Sequence, residues 1–278
     1  MRQETRTLVF DGDLTIEAYR FKGFVRPFPK HFHEYYVIGY IGSGQRILSC
    51  KDREYTVRPG HILIFNPGDS HACVQNDGGT LDYRGLNIPK EVMLGLMKEL
   101  DGQRELPVFS PSVIFDSETA GCLCTLHDLV MEGSKGPEKK ENLMLLTALL
   151  TQKYSQPLPC CIPRYSREIE RVCAFIEQNH GEHICLDQLC RCAGLSRSTL
   201  LRAFARLKGV TPYRYLENVR IGHGKKLLEQ GVSPAETALR TGFSDQSHFT
   251  NYFDRFIGLS PGVYRNTFEK RSSYGPEG

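Results

Sequence analysis

The chain has no apolar run near the ~18–20 residues a membrane-spanning helix needs. Its opening residues, MRQETRTLVFDGD, are charged and hold no apolar core. Neither a spanning segment nor a secretory leader is expected, which makes the cytoplasm the expected compartment. The paired C-x2-C spacings of a zinc ribbon are missing, although there are ten cysteines, at 50, 73, 122, 124, 160, 161, 173, 185, 190 and 192. Without a secretion signal a disulfide framework is not expected. The cysteines read as small buried hydrophobes with reduced thiols, a redox or metal role being the alternative. Strong charge is also absent, with a net +3 over 278 residues. That small excess is uneven: from Pro163 onward there are 17 Lys+Arg against 12 Asp+Glu. A mildly basic C-terminal third suits a phosphate backbone as partner.

What is present divides the chain in two. Over residues 5–90, short runs rich in Val, Ile, Tyr and Phe (YYVIGYI 35–41, QRILSC 45–50, REYTVR 53–58, HILIFN 61–66) alternate with turn signals such as GSG 42–44, KD 51–52 and NPGDSH 66–71. Strands this short and regular predict an antiparallel sandwich or barrel. After Pro89 the apolar period becomes helical, in 90–100, 117–133 and 139–154. The proline-rich SQPLPCCIPRYS (155–166) reads as an interdomain linker, and beyond it the chain is helical to about Phe268. The expected domains are therefore 1–156, a linker 157–166, and 167–278.

The C-terminal domain contains one unit twice. Setting Ser198 on Ser247 brings Phe204 onto Phe253, Arg206 onto Arg255, Gly209 onto Gly258, Pro212 onto Pro261 and Tyr215 onto Tyr264. Each copy follows a short helix and a glycine turn, at Gly194 or Gly242, with Ser196 or Ser244 two residues on as the expected N-cap. This is the helix-turn-helix pattern. Leu200, Phe204 and Leu207, and likewise Phe249, Phe253 and Phe256, fall on one helical face and must pack inward. The opposite faces present Arg197, Ser198, Leu201, Arg202 and Ala205, and Asp245, Gln246, Ser247, Thr250 and Asn251. Arg, Asn and Gln there can form bidentate bonds to base edges. One such helix could equally be the solvated face of a bundle, whereas two in series favour DNA. Residues 211–231, with a Thr cap, a Pro at the first position and Gly231 at the end, read as a connecting helix that lets the two units enter successive major grooves, about 34 Å apart.

These residues resemble the AraC/XylS-type transcription regulators. GFSDQSHFTNYFDRFIGLSPGVYR (242–265) carries nearly all of that family's signature, and the resemblance runs over about 167–268. It implies base-reading roles for Ser198, Leu201 and Arg202 in the first unit and for Gln246, Ser247 and Asn251 in the second. Arg197, Asp245 and His248 join the expected DNA-contacting set. Leu201 and Asn251 stand where larger polar or basic residues are common in the family. Gly224 stands where Ala is usual and, with Gly222, costs about 1 kcal/mol of helix propensity per residue, which predicts a softer connector. The N-terminal half resembles the cupin-like effector domain many such regulators carry, through HFHEYY (31–36), GSG (42–44) and RPGHILIFNPGDSH (58–71). The fold implied is α+β: an N-terminal antiparallel, cupin-like β-barrel with helices, then an all-α double helix-turn-helix domain. The implied partners are double-stranded promoter DNA, a small-molecule effector, RNA polymerase and a second copy joined through helices 117–133 and 139–154, with no membrane. Activation is the family's commoner habit.

Three readings of the N-terminal histidines stand open. In the first, His31, His33, Tyr35, His71, Tyr83 and Arg84 line an effector pocket, with the Arg84 guanidinium forking onto an anion. In the second, His31, His33 and His71 hold a divalent ion, which neutral imidazole suits, although Glu34 is not where a metal-using cupin wants its carboxylate. In the third, they are core histidines satisfied by hydrogen bonds. A cupin enzyme or a metal/redox sensor fused to the DNA-binding domain is the alternative function. The enzyme reading lacks a complete ligand set, and no nucleophile–base constellation appears elsewhere, so no catalytic residues are expected.

Overall fold

A computed structural model describes residues 4–75, 78–102, 104–156 and 164–272, with side chains to Phe268. Most of the expected linker, residues 157–163, lies outside the described residues. The chain forms two compact units: Met1–Pro27 with His33–Leu158, and Phe28–Phe32 with Pro159–Gly278. No described helix is long and apolar enough to cross a membrane.

The first unit runs β1 (Thr5–Asp11), β2 (Ile16–Phe24), then, after β3 (Phe28–His31) of the other unit, β4 (Tyr36–Ser43), β5 (Arg46–Cys50), β6 (Arg53–Val57), β7 (Ile62–Phe65), β8 (His71–Gln75) and β9 (Leu81–Ile88). There follow α1 (Lys90–Asp101), β10 (Val108–Phe109), β11 (Val113–Ile114), α2 (Ser117–Met131), α3 (Glu138–Tyr154) and β12 (Ser155–Gln156). One antiparallel sheet has the order β1-β2-β9-β4-β7-β11, and in a second β8 neighbours β5 and β5 neighbours β6. The β5–β6 hairpin turns at Lys51 and Asp52, both with positive φ (52 and 57°), as a two-residue primed turn requires.

Alternation splits the residues of the larger sheet. Ile16, Ala18, Ile38, Ile62, Ile64, Leu86 and Ile88 face the helices and bury against Leu123, Leu126 and Val130 of α2 and Leu143, Leu146 and Leu150 of α3. Each buried Ile, Leu or Val among them contributes roughly 1.5–3 kcal/mol by leaving water. Tyr19, Phe21, Val37, Ile41, Leu63 and Tyr83 take the other face, toward the second sheet. Side chains join the two sheets there: Arg46 donates to the Phe24 carbonyl at 2.7 Å, Ser112 bonds Cys50 Sγ at 3.3 Å, and Phe65 stacks on His71 at 3.8 Å. Among the described residues the barrel is thus closed by side chains between two sheets rather than by a continuous ladder.

The second unit is a helical assembly: α4 (Ser166–Gln178), α5 (Leu186–Ala193), α6 (Arg197–Lys208), α7 (Pro212–Glu229), α8 (Pro234–Arg240), α9 (Gln246–Ile257) and α10 (Pro261–Ser272). Ile169, Val172 and Ile176 of α4, Leu189 of α5, Leu200 and Phe204 of α6, and Tyr215 and Leu216 of α7 make one core, which also takes in Phe32. Phe32 stacks on Tyr215 at 5.0 Å, and its N–H donates to Asn218 Oδ1. α7 has 18 residues, about 27 Å at 1.5 Å per residue, with Thr211 as cap and proline at its start.

Candidate functional site

The outward side of the second unit is set by two capped turns. Gly194 (φ 68°) ends α5, and the Ser196 hydroxyl accepts the Thr199 N–H to start α6. Gly242 (φ 77°) makes the second turn, where a Cβ would lie 2.7 Å from the Gly181 carbonyl oxygen. The expected second cap, Ser244, is corrected by one residue: Asp245 caps α9 and accepts the His248 N–H at 2.8 Å. A carboxylate caps the bare N–H groups as well as a hydroxyl does and adds a favourable interaction with the helix dipole. The His248 N–H, then the Ser244 hydroxyl, hold Asp245 below the usual carboxylate range.

Behind these caps Leu200, Ala203 and Phe204 of α6, and Phe249, Phe253 and Phe256 of α9, are buried. In front, Arg197, Ser198, Leu201 and Arg202, and Asp245, Gln246, Ser247 and Asn251, are exposed. The exposed set is not uniform. Arg197 forks onto Asp187 of α5 at 2.7 and 2.8 Å, a partner the sequence did not single out. The Asp245 carboxylate is engaged in its cap. His248 is half-buried, its ring edge-on to Phe243 and Tyr252 and its Nδ1 against Ser244. Arg202 Nε donates to the Ser198 carbonyl at 3.2 Å, one turn back on the same outward face.

In the first unit His33, Tyr35 and His71 lie together, whereas Arg84 turns away from Tyr83. His33 stacks on Tyr35 at 4.9 Å between ring centroids and meets His71 at 5.2 Å. His71 donates from Nδ1 to the Asp69 carbonyl, and burial pulls its imidazole down to about 4, so it is neutral at pH 7. Tyr83 lies against Tyr19, hydroxyl to hydroxyl at 3.3 Å. Burial raises both phenols above their ordinary value. Arg84 does not share their face: as the next residue on β9 it points to the helices and binds both Asp128 oxygens of α2 at 3.0 and 3.1 Å. His31 lies on the segment grouped with the second unit, where its ring meets Phe256 edge-on. Glu34 sits at the surface, paired with Lys90.

Sequence reading also passed over Tyr19 and Arg46, both buried in the first unit. Arg46 gives its guanidinium to the carbonyls of Gln45, Gly79 and Phe24. A charged residue inside a strand otherwise looks solvent-facing, and only the β5 alternation Arg46, Leu48, Cys50 marks it as inward. Burial raises the Cys73 and Cys122 thiols to about 11, which keeps them protonated at neutral pH.

Known proteins match both units. The AraC-like ligand binding domain family matches residues 13–152, and a helix-turn-helix domain family matches residues 189–267. The HTH-type transcriptional regulator YbfI of Bacillus subtilis is 47% identical over 271 residues, covering 97% of this chain and 98% of its own length. The HTH-type transcriptional activator RhaR of Mannheimia succiniciproducens is 24% identical over 267 residues, 94% of each chain. A crystal structure of ToxT from Vibrio cholerae with an unsaturated fatty acid bound shares the fold, with a TM-score of 0.57 at 16% identity over 96% of this chain and 98% of that one. With an AraC-like ligand-binding domain followed by a helix-turn-helix DNA-binding domain, the chain belongs to the AraC family of transcription regulators.

Proposed function

We propose that this regulator activates transcription by laying α6 and α9 into successive major grooves of promoter DNA in response to a small molecule held between the sheets of the first unit. The observation that carries the reading is the doubled arrangement of a buried aromatic face behind an exposed polar one. Ser198, Leu201 and Arg202 on α6, and Gln246, Ser247 and Asn251 on α9, are the base-reading set. Arg197 clamps the start of α6 through Asp187 and reaches phosphate if that pair opens. A relative named as an activator supports the sign of regulation, which would bring RNA polymerase in as partner. ToxT, which has the same fold and was solved with an unsaturated fatty acid bound, supports a small-molecule effector. The site of action is the cytoplasm, and the domains are 1–156 and 167–278.

Two copies are proposed to associate through α2 and α3, because Leu145 on α3 is 52% exposed, an apolar side chain on an otherwise packed helix pair. Leu145→Asp is then expected to shift sedimentation from dimer toward monomer, and an unchanged profile contradicts this surface. The DNA-reading assignment is tested with Arg202→Ala. Losing a bidentate base contact costs about 1–3 kcal/mol. Affinity for a selected site should therefore drop about 5–150-fold, with nonspecific binding nearly unchanged. Equal discrimination between sites in that variant contradicts the role.

A further inference from the structure

We infer that the effector slot is the bare patch of Gly39 and Gly85 beneath Tyr19 and Tyr83, and that it takes a small uncharged ring bearing a hydrogen-bond acceptor. The inference rests on the effector-binding reading above and names the place and the chemistry.

Gly39 and Gly85 are register partners on β4 and β9, the central strands of the larger sheet. Across the inner face they lie in one row, Tyr19–Gly85–Gly39–Leu63, with Phe21–Tyr83–Ile41 as the next. Two adjacent glycines in central strands weaken the sheet, and strand glycine often marks a place that something else approaches closely. Here the phenols occupy the space. A Cβ on Gly39 would lie 2.1 Å from Tyr83 Oη, and one on Gly85 would lie 2.2 Å from Tyr19 Oη and 2.1 Å from its Cζ. Neither glycine has a positive φ, so backbone conformation does not explain them. They are present for the room above them.

The phenols fill that room imperfectly. Two hydroxyls carry two protons, and one hydroxyl–hydroxyl bond uses one of them. Among the described residues no other acceptor is found for the second. A buried donor without an acceptor is unfavourable, so the pair gains when an acceptor arrives. A ring of phenol size can take one slot as that phenol turns aside, its acceptor receiving the remaining O–H. Aromatic walls stand ready: Phe21 lies 5.3 Å from Tyr19 and stacks on Phe24 at 5.4 Å. The slot is buried, and a charged ligand would lose its hydration there. Arg46 does not invite an anion, since its guanidinium already serves three carbonyls.

The same residues are tied to α2. His127, fully buried in α2, donates from Nε2 to the Tyr19 carbonyl at 3.0 Å, and the next residue, Asp128, holds Arg84, the neighbour of Tyr83. Turning either phenol therefore loads a strand fastened to one point on α2.

The test is saturation-transfer NMR on the full chain, with cyclohexanone as the uncharged probe and cyclohexanecarboxylate as its charged counterpart. Tyr19→Phe with Tyr83→Phe keeps both rings and removes both hydroxyls; Gly39→Ala fills the slot but also clashes with Tyr83 and strains the sheet, so the phenylalanine pair decides. The expected result is cyclohexanone binding that weakens at least about tenfold in the double variant, the size of one lost hydrogen bond of about 1.4 kcal/mol, and weaker binding of the carboxylate. Overturning results are no cyclohexanone binding, equal binding in the double variant, or tighter binding of the carboxylate. A parallel thermal-shift panel of sugars, amino acids and carboxylates separates the two readings. If another compound stabilises the chain while cyclohexanone fails, effector binding stands and this slot falls; if nothing stabilises it, both fall.

Discussion

At the scale of the residue, environment decides which groups carry charge. His180 and His223 stack 3.7 Å apart in the second unit. Burial first, then the neighbouring His180 and Lys226, pull His223 down to about 4. Its ordinary value is about 6.5, so the unfolded chain takes up this proton before the folded one does. Stability contributed here is complete above about pH 6.5 and declines as pH falls toward 4. His223→Gln should therefore shrink the loss in urea midpoint between pH 7 and pH 5, and an equal loss in variant and wild type contradicts the shift. Which groups face each other is the part that sequence spacing conveyed least. Tyr83 and Arg84 looked like one pocket wall, yet adjacent strand residues point opposite ways, and Asp128 claims the arginine. Tyr19 sits in IEAYRFKGF, whose Arg20 and Lys22 suggest a surface strand, because the charged residues and the buried ones share one segment.

At the scale of the element, the recognition units were legible because caps, glycine turns and the aromatic period are local signals. The second cap missed by one residue, since Ser and Asp are adjacent and both can cap. The connecting helix teaches more. Gly222 and Gly224 look alike in sequence, as two costs in one helix, yet their surroundings differ. A Cβ at Gly222 meets nothing within 4 Å, whereas one at Gly224 would lie 2.8 Å from Phe249 Cε2 and 3.1 Å from Cζ. Gly224 lets the buried ring of α9 rest on α7, so a packing reason stands beside its helix cost, and Gly222 has none. Gly222→Ala should raise stability by about 1 kcal/mol through helix propensity. Gly224→Ala should gain less or lose, because Phe249 must move. Chemical denaturation compares the two, and equal gains would contradict the packing role. Ser196→Ala should cost about 1 kcal/mol for its lost cap, by the same measurement.

At the scale of the whole molecule, two compact units share one chain, and the family assignment follows from both. The period change after Pro89, the prolines near 157–163 and the doubled unit made this division readable. The path of Phe28–Phe32 did not show, because nothing in FPKHF says which unit it will pack with. If the second unit holds several phosphates as proposed, its DNA binding should weaken steeply with salt. The central claim is that α6 and α9 each read one half of a DNA site. Selection of bound duplexes from a random-sequence pool tests it most directly, with wild type, Arg202→Ala and Gln246→Ala in parallel. The account predicts two half-sites about 10 base pairs apart, with Arg202→Ala relaxing one half and Gln246→Ala the other. A single motif, or the same positions relaxed by both variants, would contradict it.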